Sequence, residues 1–234
     1  MPDLMPRGPE ALMLFAAGRG TRMGALTADR PKPLIEVAGR PLIDHALDLV
    51  SGAGIARTVV NTHYFADQLA AHLAGRELAL SHEPELLETG GGLRAALPLL
   101  GPGPVFTLNS DAVWTGSNPL AQLRAAWDPA RMDALLLLVS PGAARGRVGG
   151  GDFSLDAEGR LHRGGPMIYV GAQILRPDGL AGIDAEVFSL NLLWDRIAAA
   201  GRLFGVIHDG FWCDVGRPEG IAEAEAMLRE ADHV

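Results

Sequence analysis

Apolar and polar positions along the first half of the chain follow two different periods. Four apolar runs have the length of strands and end at turn residues; they cover positions 12–17, 57–61, 77–81 and 104–109. Three segments with helical spacing of apolar residues lie between them, at positions 42–53, 66–74 and 93–100. Strands that alternate with helices build a parallel sheet that carries helices on both faces. The first half therefore predicts a Rossmann-like α/β fold of three layers.

The second half has a less regular pattern. Apolar runs at 134–140, 167–175 and 203–207 predict strands, and residues 152–161 predict a hairpin with its turn at 157–159. Helices are expected at 190–200 and 217–229. This mixture predicts some antiparallel pairing, so we expect a mixed sheet that is mostly parallel. No linker or internal repeat divides the 234 residues, which predicts a single domain.

Composition narrows the range of partners and compartments. The chain is 48% hydrophobic, has no run of 18 apolar residues and carries a formal net charge of −8. We therefore expect a large core, no membrane-spanning helix, and neither nucleic acid nor anionic membrane as the main partner. Residues 1–10 lack the basic start and apolar middle of a signal peptide and predict a frayed leader. The single cysteine, Cys213, cannot form an internal disulfide, which favours the cytoplasm.

The basic residues are distributed in an unusual way. Of the 20 lysines and arginines, Lys32 is the only lysine. Exposed arginine and lysine exchange at little cost, but a compact ammonium and a planar guanidinium are not interchangeable where a ligand is bound. The presence of Lys32 between two prolines therefore predicts a functional site, with chance survival at the surface as the alternative.

A glycine-rich loop follows the first predicted strand, with the sequence A-A-G-R-G-T-R-M at residues 16–23. Two glycines let the backbone turn tightly, and successive N–H groups can hold phosphate oxygens. A P-loop is excluded because no G-K-[ST] is present, and the dinucleotide fingerprint fails because its third glycine position holds Met23.

The whole pattern resembles the N-terminal signature of the sugar nucleotidyltransferases. It comprises A-A-G-x-G-T-R-M, then P-K-P with its lysine nine residues after the methionine, then L-I-x-V-x-G-x-P-L-I. The resemblance extends over essentially the whole chain. It implies the nucleotidyltransferase (GT-A-like) fold, with a nucleotide-binding half at about 11–130 and a sugar-binding half with a closing helix at about 131–234. It also implies that Lys32 neutralises the phosphates of an NTP. The loop residues implied to wrap those phosphates are Ala17, Gly18, Gly20, Thr21 and Arg22.

Two acidic residues follow predicted strands, Asp111 after 104–109 and Asp214 after 203–207. Ligands of open α/β sheets bind beyond the carboxyl ends of strands. An acid at a strand end is by itself more often a turn former or helix cap. The resemblance implies that Asp111 and Asp214 are the metal-binding aspartates of the family. Mg²⁺ is the expected cofactor, because nucleotidyl transfer brings two anions together and Mg²⁺ binds through one or two carboxylates, phosphates and water.

The segment E-P-E-L-L-E-T-G-G-G at residues 83–92 resembles the base-recognition segment of this family. Its L-E-T-G-G-G form is most similar to a uridylyltransferase branch that acts on N-acetylmuramic acid 1-phosphate in cell-wall sugar recycling. The alternative for residues 90–92 is a loop that leads into a helix. The residues expected at the nucleotide base are Glu83, Glu88, Thr89 and Gly90. The residues implied at the sugar phosphate are Asn109, Gly151, Asp152, Gly171 and Asp214, and Arg163 stands near the position of the lysine that many relatives carry.

These features predict an enzyme that joins UMP from UTP to a sugar 1-phosphate, N-acetylmuramic acid 1-phosphate first, and releases pyrophosphate. Arg22, Lys32, Asp111 and Asp214 are the expected catalytic residues, and small molecules are the expected partners. The same chemistry on mannose 1-phosphate with GTP, glucose 1-phosphate with dTTP or phosphocholine with CTP remains open. So does a non-catalytic nucleotide-sensing subunit. The sequence carries no signal for oligomeric state.

Overall fold

The computed structural model describes residues 8–232. Most of the expected frayed leader, residues 1–7, lies outside this range. No helix among the described residues is long and apolar enough to cross a membrane.

The described residues contain strands, α-helices and short 3-10 helices, numbered here in chain order. The strands are β1 (Ala11–Phe15), β2 (Glu36–Val37), β3 (Arg40–Pro41), β4 (Arg57–Thr62), β5 (Ala79–His82), β6 (Val105–Asn109), β7 (Ala112–Trp114), β8 (Ala134–Val139), β9 (Ala144–Arg145), β10 (Phe153–Leu155), β11 (Leu161–Arg163), β12 (Ile168–Leu175), β13 (Leu203–Ile207) and β14 (Trp212–Asp214). The α-helices are α1 (Leu42–Gly52), α2 (Ala66–Leu73), α3 (Glu88–Leu100), α4 (Pro119–Ala126), α5 (Asn191–Ala199) and α6 (Glu219–Asp232). The 3-10 helices are Thr21–Thr27, Lys32–Leu34, Pro141–Ala143 and Asp178–Gly182.

The main sheet of the described residues has seven strands in the order β13-β8-β12-β6-β1-β4-β5. β12 is antiparallel to both of its neighbours, β6 and β8. The other neighbouring pairs are parallel. The prediction of a mostly parallel, mixed sheet is therefore confirmed, and one continuous sheet contains strands from both halves of the chain.

Helices cover both faces of this sheet. Along β1, Leu12 and Leu14 contact the apolar cluster that contains residues of α1, α2 and α4, whereas Met13 contacts the cluster of α3 and α5. This alternation follows from the two-residue period of a strand, and burying each such side chain contributes about 1.5–3 kcal/mol. The three predicted layers are thus helices, sheet and helices.

A third apolar cluster joins α6 to the smaller sheet β7-β14-β9. It contains Cys213, which is fully buried, and burial raises the pKa of its thiol to about 12. Cys213 is therefore a small packing residue. Met23, which follows the glycine-rich loop, and Ala224 of α6 belong to the same cluster, so α6 packs against the region where that loop ends.

The predicted elements agree with the observed ones within two residues for most strands, but two regions differ. Helix α3 begins at Glu88 and not at residue 93, so residues 90–92 are helical and the prediction of a loop there is wrong. The reason is tertiary: Gly90 packs against Phe188, and Gly91 against the carbonyl of Glu186, with no room for a Cβ. The sequence pattern also missed the short elements β7, α4 and β14.

Candidate active site

The glycine-rich loop leaves β1 and folds back over Lys32. Gly20 has φ +64°, and a Cβ there would lie 2.8 Å from Cβ of Lys32. The hydroxyl of Thr27 donates a hydrogen bond to the Gly20 carbonyl at 3.1 Å. Glycine is required at position 20 both by its left-handed backbone and by the closeness of the lysine stem. The loop and Lys32 are therefore one packed unit.

Lys32 is buried and forms an ion pair with the partly exposed Asp111. Its Nζ donates to Oδ2 of Asp111 at 2.6 Å, and the Lys32 side chain is only 9% exposed. Lys32 begins a 3-10 helix, and Asp111 lies just past the carboxyl end of β6, next to β1 in the centre of the sheet. Two residues 79 positions apart in the chain thus meet at the edge of the sheet where ligands of α/β proteins bind.

Asp214 is held beside Asp111 by the pairing of β14 with β7. Asp214 pairs with Ala112 in this ladder, and the N–H of Val215 donates to the Asp111 carbonyl at 2.9 Å. Burial, and next the negative charge of Asp111, raise the pKa of Asp214, while Lys32, Arg22 and Arg147 act in the opposite direction.

The donor set of this pair fits a hard divalent cation. Two carboxylates supply oxygen ligands, and a cation would offset the repulsion between Asp214 and the neighbouring charge of Asp111. No group of three or more histidine, cysteine, aspartate or glutamate residues suited to a metal occurs in residues 8–232. The two carboxylates would therefore leave most positions around a cation to phosphates and water, as Mg²⁺ prefers.

A buried hydrogen-bond chain links the glycine-rich loop to the segment before α3. The N–H of Ala16 donates to Oδ1 of Asn61 at 2.6 Å, and Nδ2 of Asn61 donates to Oε1 of Glu83 at 2.7 Å. Oε2 of Glu83 accepts from the N–H of Leu87 at 3.0 Å, and Glu83 is 1% exposed. Gly92 admits this carboxylate, because a Cβ there would lie 2.6 Å from Oε1. Both carboxylate oxygens of Glu83 are thus engaged within the protein.

Glu88 has an uncommon backbone conformation, with φ +63°. Left-handed backbone costs a residue with a Cβ about 1–2 kcal/mol, and such strain concentrates at functional positions. Next to it, the N–H groups of Gly90 and Gly91 both donate to the Phe188 carbonyl, at 2.8 and 3.1 Å. Of the two acids expected near the base, Glu88 is therefore the exposed one, and the amide of Gly90 is already occupied.

Two cavities meet along the carboxyl edge of the sheet. The first cavity, of about 290 Å³, lies between the glycine-rich loop and the start of α3, and the second cavity, of about 280 Å³, lies between β12 and α5. Phe15, Thr89 and Asn109 line both cavities. The two cavities therefore form a continuous cleft that can hold two reactants side by side.

The structure brings most of the predicted site residues to this cleft. The first cavity is lined by Ala17, Gly18, Lys32, Glu83, Glu88, Thr89, Asn109 and Asp111. The second cavity is lined by Thr89, Asn109 and Asp152. The predicted residues that do not line either cavity are Gly20, Thr21, Arg22, Gly90, Gly151, Gly171 and Asp214.

Several of these other residues support the ones that line the cleft. Gly171 has φ +78° at an irregularity of β12, and a Cβ there would lie 2.7 Å from Nδ2 of Asn109. Gly151 packs against the backbone of Pro166. Arg22 approaches Asp214 across Gly216, whose Cβ would lie 3.1 Å from the Arg22 guanidinium.

Sequence reasoning missed several residues of the cleft. In the first cavity these are Phe15, Asn61, Leu86 and Ser110, and in the second they are Gln173, Ser189, Asn191 and Trp194. Asn61 and Ser110 had a usable signal, because each is a polar residue at or just past the end of a predicted parallel strand. The sequence gives no such signal for Gln173, which lies within β12. Its side-chain amide donates to Thr107 at 3.1 Å and accepts from the Trp194 indole at 2.8 Å.

The walls of the second cavity contain two arginines in different settings. Arg147 contacts Asp152 at 2.7 Å, and the other carboxylate oxygen of Asp152 accepts from the Tyr169 N–H at 2.9 Å. Arg163 instead pairs with Asp195 at 2.7 Å. The second cavity thus offers charged donors beside the aromatic surface of Trp194.

The site combines a glycine-rich loop packed on a buried lysine, two adjacent carboxylates and a two-part cleft. This combination is typical of a nucleotidyltransferase. The chain belongs to the MobA-like NTP transferase domain family, which it matches over residues 12–176. The family and enzyme class expected from the sequence are therefore confirmed.

Individual relatives are similar over nearly the full chain. An N-acetylmuramate alpha-1-phosphate uridylyltransferase of Caulobacter vibrioides is 46% identical, over 97% of this chain and 100% of that protein. One of Neisseria meningitidis serogroup B is 36% identical, over 92% of this chain and 96% of that protein. Among solved structures, HddC from Yersinia pseudotuberculosis has a TM-score of 0.75 at 20% identity, over 94% of this chain and 99% of that one, which supports the fold.

Replacement of Lys32 by arginine is expected to lower kcat/KM about as much as replacement by alanine, by roughly 100-fold or more. Because Gly20 fixes the lysine stem and Nζ sits 2.6 Å from Asp111, a longer, planar guanidinium is expected to move its charge away from this position. Steady-state kinetics of Lys32→Arg and Lys32→Ala measure this. The matched control is Arg40→Lys at the exposed Arg40–Asp48 pair, which should keep wild-type activity. Near wild-type kinetics of Lys32→Arg would show that only the charge matters.

Replacement of Glu88 by glycine is expected to raise stability by up to about 1 kcal/mol, because glycine relieves the left-handed backbone. The same change should lower kcat/KM for the nucleotide about three- to tenfold through loss of the carboxylate. Thermal melting and kinetics test both parts. Ala38→Gly is the control, since Ala38 also has positive φ, at +52°, but lies between β2 and β3 away from the cleft. A fully active Glu88→Gly enzyme would remove Glu88 from the nucleotide site.

Proposed function

We propose that this enzyme transfers UMP from UTP to N-acetylmuramic acid 1-phosphate, giving the UDP-sugar and pyrophosphate. The observation that carries the reaction class is the continuous cleft, whose two cavities share Phe15, Thr89 and Asn109 beside the Lys32–Asp111 pair. The names of the two relatives, which are similar over almost their whole length, support this nucleotide and this sugar.

In this proposal the NTP occupies the first cavity and the sugar 1-phosphate the second. The glycine-rich loop and the 3-10 helix of Lys32 hold the phosphates at the open end of β1. An oxygen of the sugar phosphate attacks the α-phosphorus in line, a new P–O bond forms, and the bond from the α-phosphorus to the oxygen of the leaving pyrophosphate breaks. No general base is needed, since the attacking phosphate is already ionised, so positioning and charge stabilisation account for the catalysis.

The residue roles follow from where each charge lies. Lys32 uses one of its three N–H donors on Asp111 and has two left for phosphate oxygens. Arg22 adds positive charge on the Asp214 side. Asp111 and Asp214 would hold Mg²⁺, which offsets the repulsion between the two reacting anions. Glycines 18 and 20 with Thr21 present backbone N–H groups to the phosphates.

The base and sugar contacts are divided between the two ends of the cleft. Glu88 and Thr89 contact the base or ribose, while Glu83 fixes the loop through Asn61 and Leu87. Asn109 contacts the phosphate of the sugar 1-phosphate, and Gly171 leaves room for the Asn109 side chain. Asp152 lies on the sugar side of the cleft and holds Arg147. The chain acts in this proposal as one domain in the cytoplasm, in peptidoglycan recycling.

The principal competitor is the same chemistry with another pair of substrates, such as mannose 1-phosphate and GTP. A further group of relatives, mannose-1-phosphate guanylyltransferases, is 27–30% identical, with this chain spanning only 61–64% of their length. A non-catalytic sensor is disfavoured because the lysine and both aspartates are present and adjacent.

We expect UTP to be preferred to GTP by at least about tenfold in kcat/KM, a difference of about 1.4 kcal/mol. N-acetylmuramic acid 1-phosphate should outperform N-acetylglucosamine 1-phosphate, which lacks the lactyl carboxylate. Pyrophosphate release across four NTPs, and competition of both sugars with products resolved by mass, measure this. A preference for the sugar without the lactyl group, or for GTP, would place the enzyme in another branch of the family.

We expect activity to vanish in EDTA and to return with Mg²⁺. Asp111→Asn and Asp214→Asn should each abolish turnover but leave the fold intact, because each removes an anionic oxygen ligand. Asp209→Asn serves as the control, since Asp209 is an exposed acid that accepts hydrogen bonds from Ser117 and lines neither cavity. Circular dichroism checks the fold. Full activity in EDTA would contradict the metal site.

A further inference from the structure

Arg147 occupies a position between the carboxylate pair and the second cavity. Strand β9 pairs with β14 so that Arg145 lies opposite Cys213, and Gly146 then packs directly on the Asp214 carbonyl with no room for a Cβ. Arg147 is the next residue, and its guanidinium reaches Asp152 in the second cavity. The backbone of Arg147 therefore lies close to Asp214, and its guanidinium lies at the wall of the second cavity.

The donors of Arg147 are incompletely used. Nη2 donates to the Gly150 carbonyl at 3.1 Å and to Asp152 at 2.7 Å. Nε is buried and has no hydrogen-bond partner among residues 8–232. Nη1 makes no hydrogen bond among residues 8–232 and, unlike Nε, is not buried, so it is the donor that a ligand in the second cavity can reach. The ligand must be an acceptor, and an anion satisfies a guanidinium best.

Arg163, the other arginine of the second cavity, does not have this property. Its Nε and Nη2 both donate to Asp195, at 3.0 and 2.7 Å, and its guanidinium stacks over the rings of Phe153 and Trp194. An acidic partner outside the cavity thus balances its charge. Arg163 stands near the position at which many relatives carry a lysine, but its donors are already directed elsewhere.

We propose that Arg147 binds the phosphate of the sugar 1-phosphate and holds it for attack. This inference rests on the proposed function. The acceptor phosphate has to reach the α-phosphorus near Asp111 and Asp214, while its sugar ring extends into the second cavity toward Trp194. Arg147 is the arginine of that cavity whose backbone adjoins Asp214, so its free donors meet the phosphate end of the substrate and not the lactyl end.

The test compares Arg147→Met, Arg147→Lys and wild type, with N-acetylmuramic acid 1-phosphate as substrate and N-acetylglucosamine 1-phosphate as competitor. Loss of a charge-assisted contact should lower kcat/KM for the substrate about thirtyfold or more in Arg147→Met. The inhibition constant of the competitor should rise by a similar factor, because both sugars carry the same phosphate. Arg147→Lys, which keeps the charge, should lose less than about tenfold.

The KM for UTP should change less than about threefold in both variants, which shows that the fold and the first cavity are intact. Arg229→Met, at an exposed pair with Glu225 on α6, controls for the loss of any arginine. Unchanged kinetics of Arg147→Met would overturn the assignment, as would a loss confined to the sugar that carries the lactyl carboxylate. A wild type that forms no UDP-sugar from any sugar 1-phosphate would contradict the proposed function itself, and the role of Arg147 with it.

Discussion

The structure of the cleft depends on the ion pair between Lys32 and Asp111. A partly buried pair of this kind adds little to stability, because the cost of removing two charges from water offsets much of their attraction. Its geometry is nevertheless fixed from both sides: Gly20 leaves space for the lysine stem, and β6 presents Asp111 at the centre of the sheet. In the proposed function, this pair serves to position the phosphates of the nucleotide and not to stabilise the fold.

The second constraint is the division of the cleft. Phe15 and Asn109 end the adjacent parallel strands β1 and β6, and they line both cavities. Because these strands are paired in register, Phe15 opposite Asn109, the boundary between the two cavities is set by the sheet and not by a mobile loop. Two reactants held on either side of that boundary lose translational and rotational freedom before they react. This positioning lowers the barrier of a direct transfer between them.

Much of the fold could be predicted from the sequence, because β1, β4 and β13 are apolar runs bounded by turn residues and α1 has a clear helical period. The phosphate loop, Lys32 and Asp111 were also accessible, since each belongs to a local motif. The start of α3 was not, because three consecutive glycines disfavour a helix locally and only the backbone of residues 186–188, a hundred positions later, makes them helical. The position of Arg147 next to Asp214 could not be predicted either, as it depends on the pairing of β9 with β14.

Three residues at this cleft have an unfavourable backbone conformation, charge or hydrogen-bonding state. A ligand of the proposed reaction is compatible with each of them. Glu88 holds a backbone that glycine would adopt more easily, Asp214 keeps a carboxylate whose pKa burial and a like charge raise, and Arg147 leaves Nε buried without a partner. A cation would offset the charge at Asp214, and an acceptor phosphate would bind Arg147. A nucleotide would make use of Glu88. Natural sequences keep such conflicts where function needs them. Single conflicts also occur outside the cleft, at the left-handed backbones of Ala38 and Phe65 and at Nε of Arg176. The three conflicts lie along one path, from the start of α3 through the aspartates to the second cavity, which is the path that a nucleotide and a sugar phosphate would occupy together.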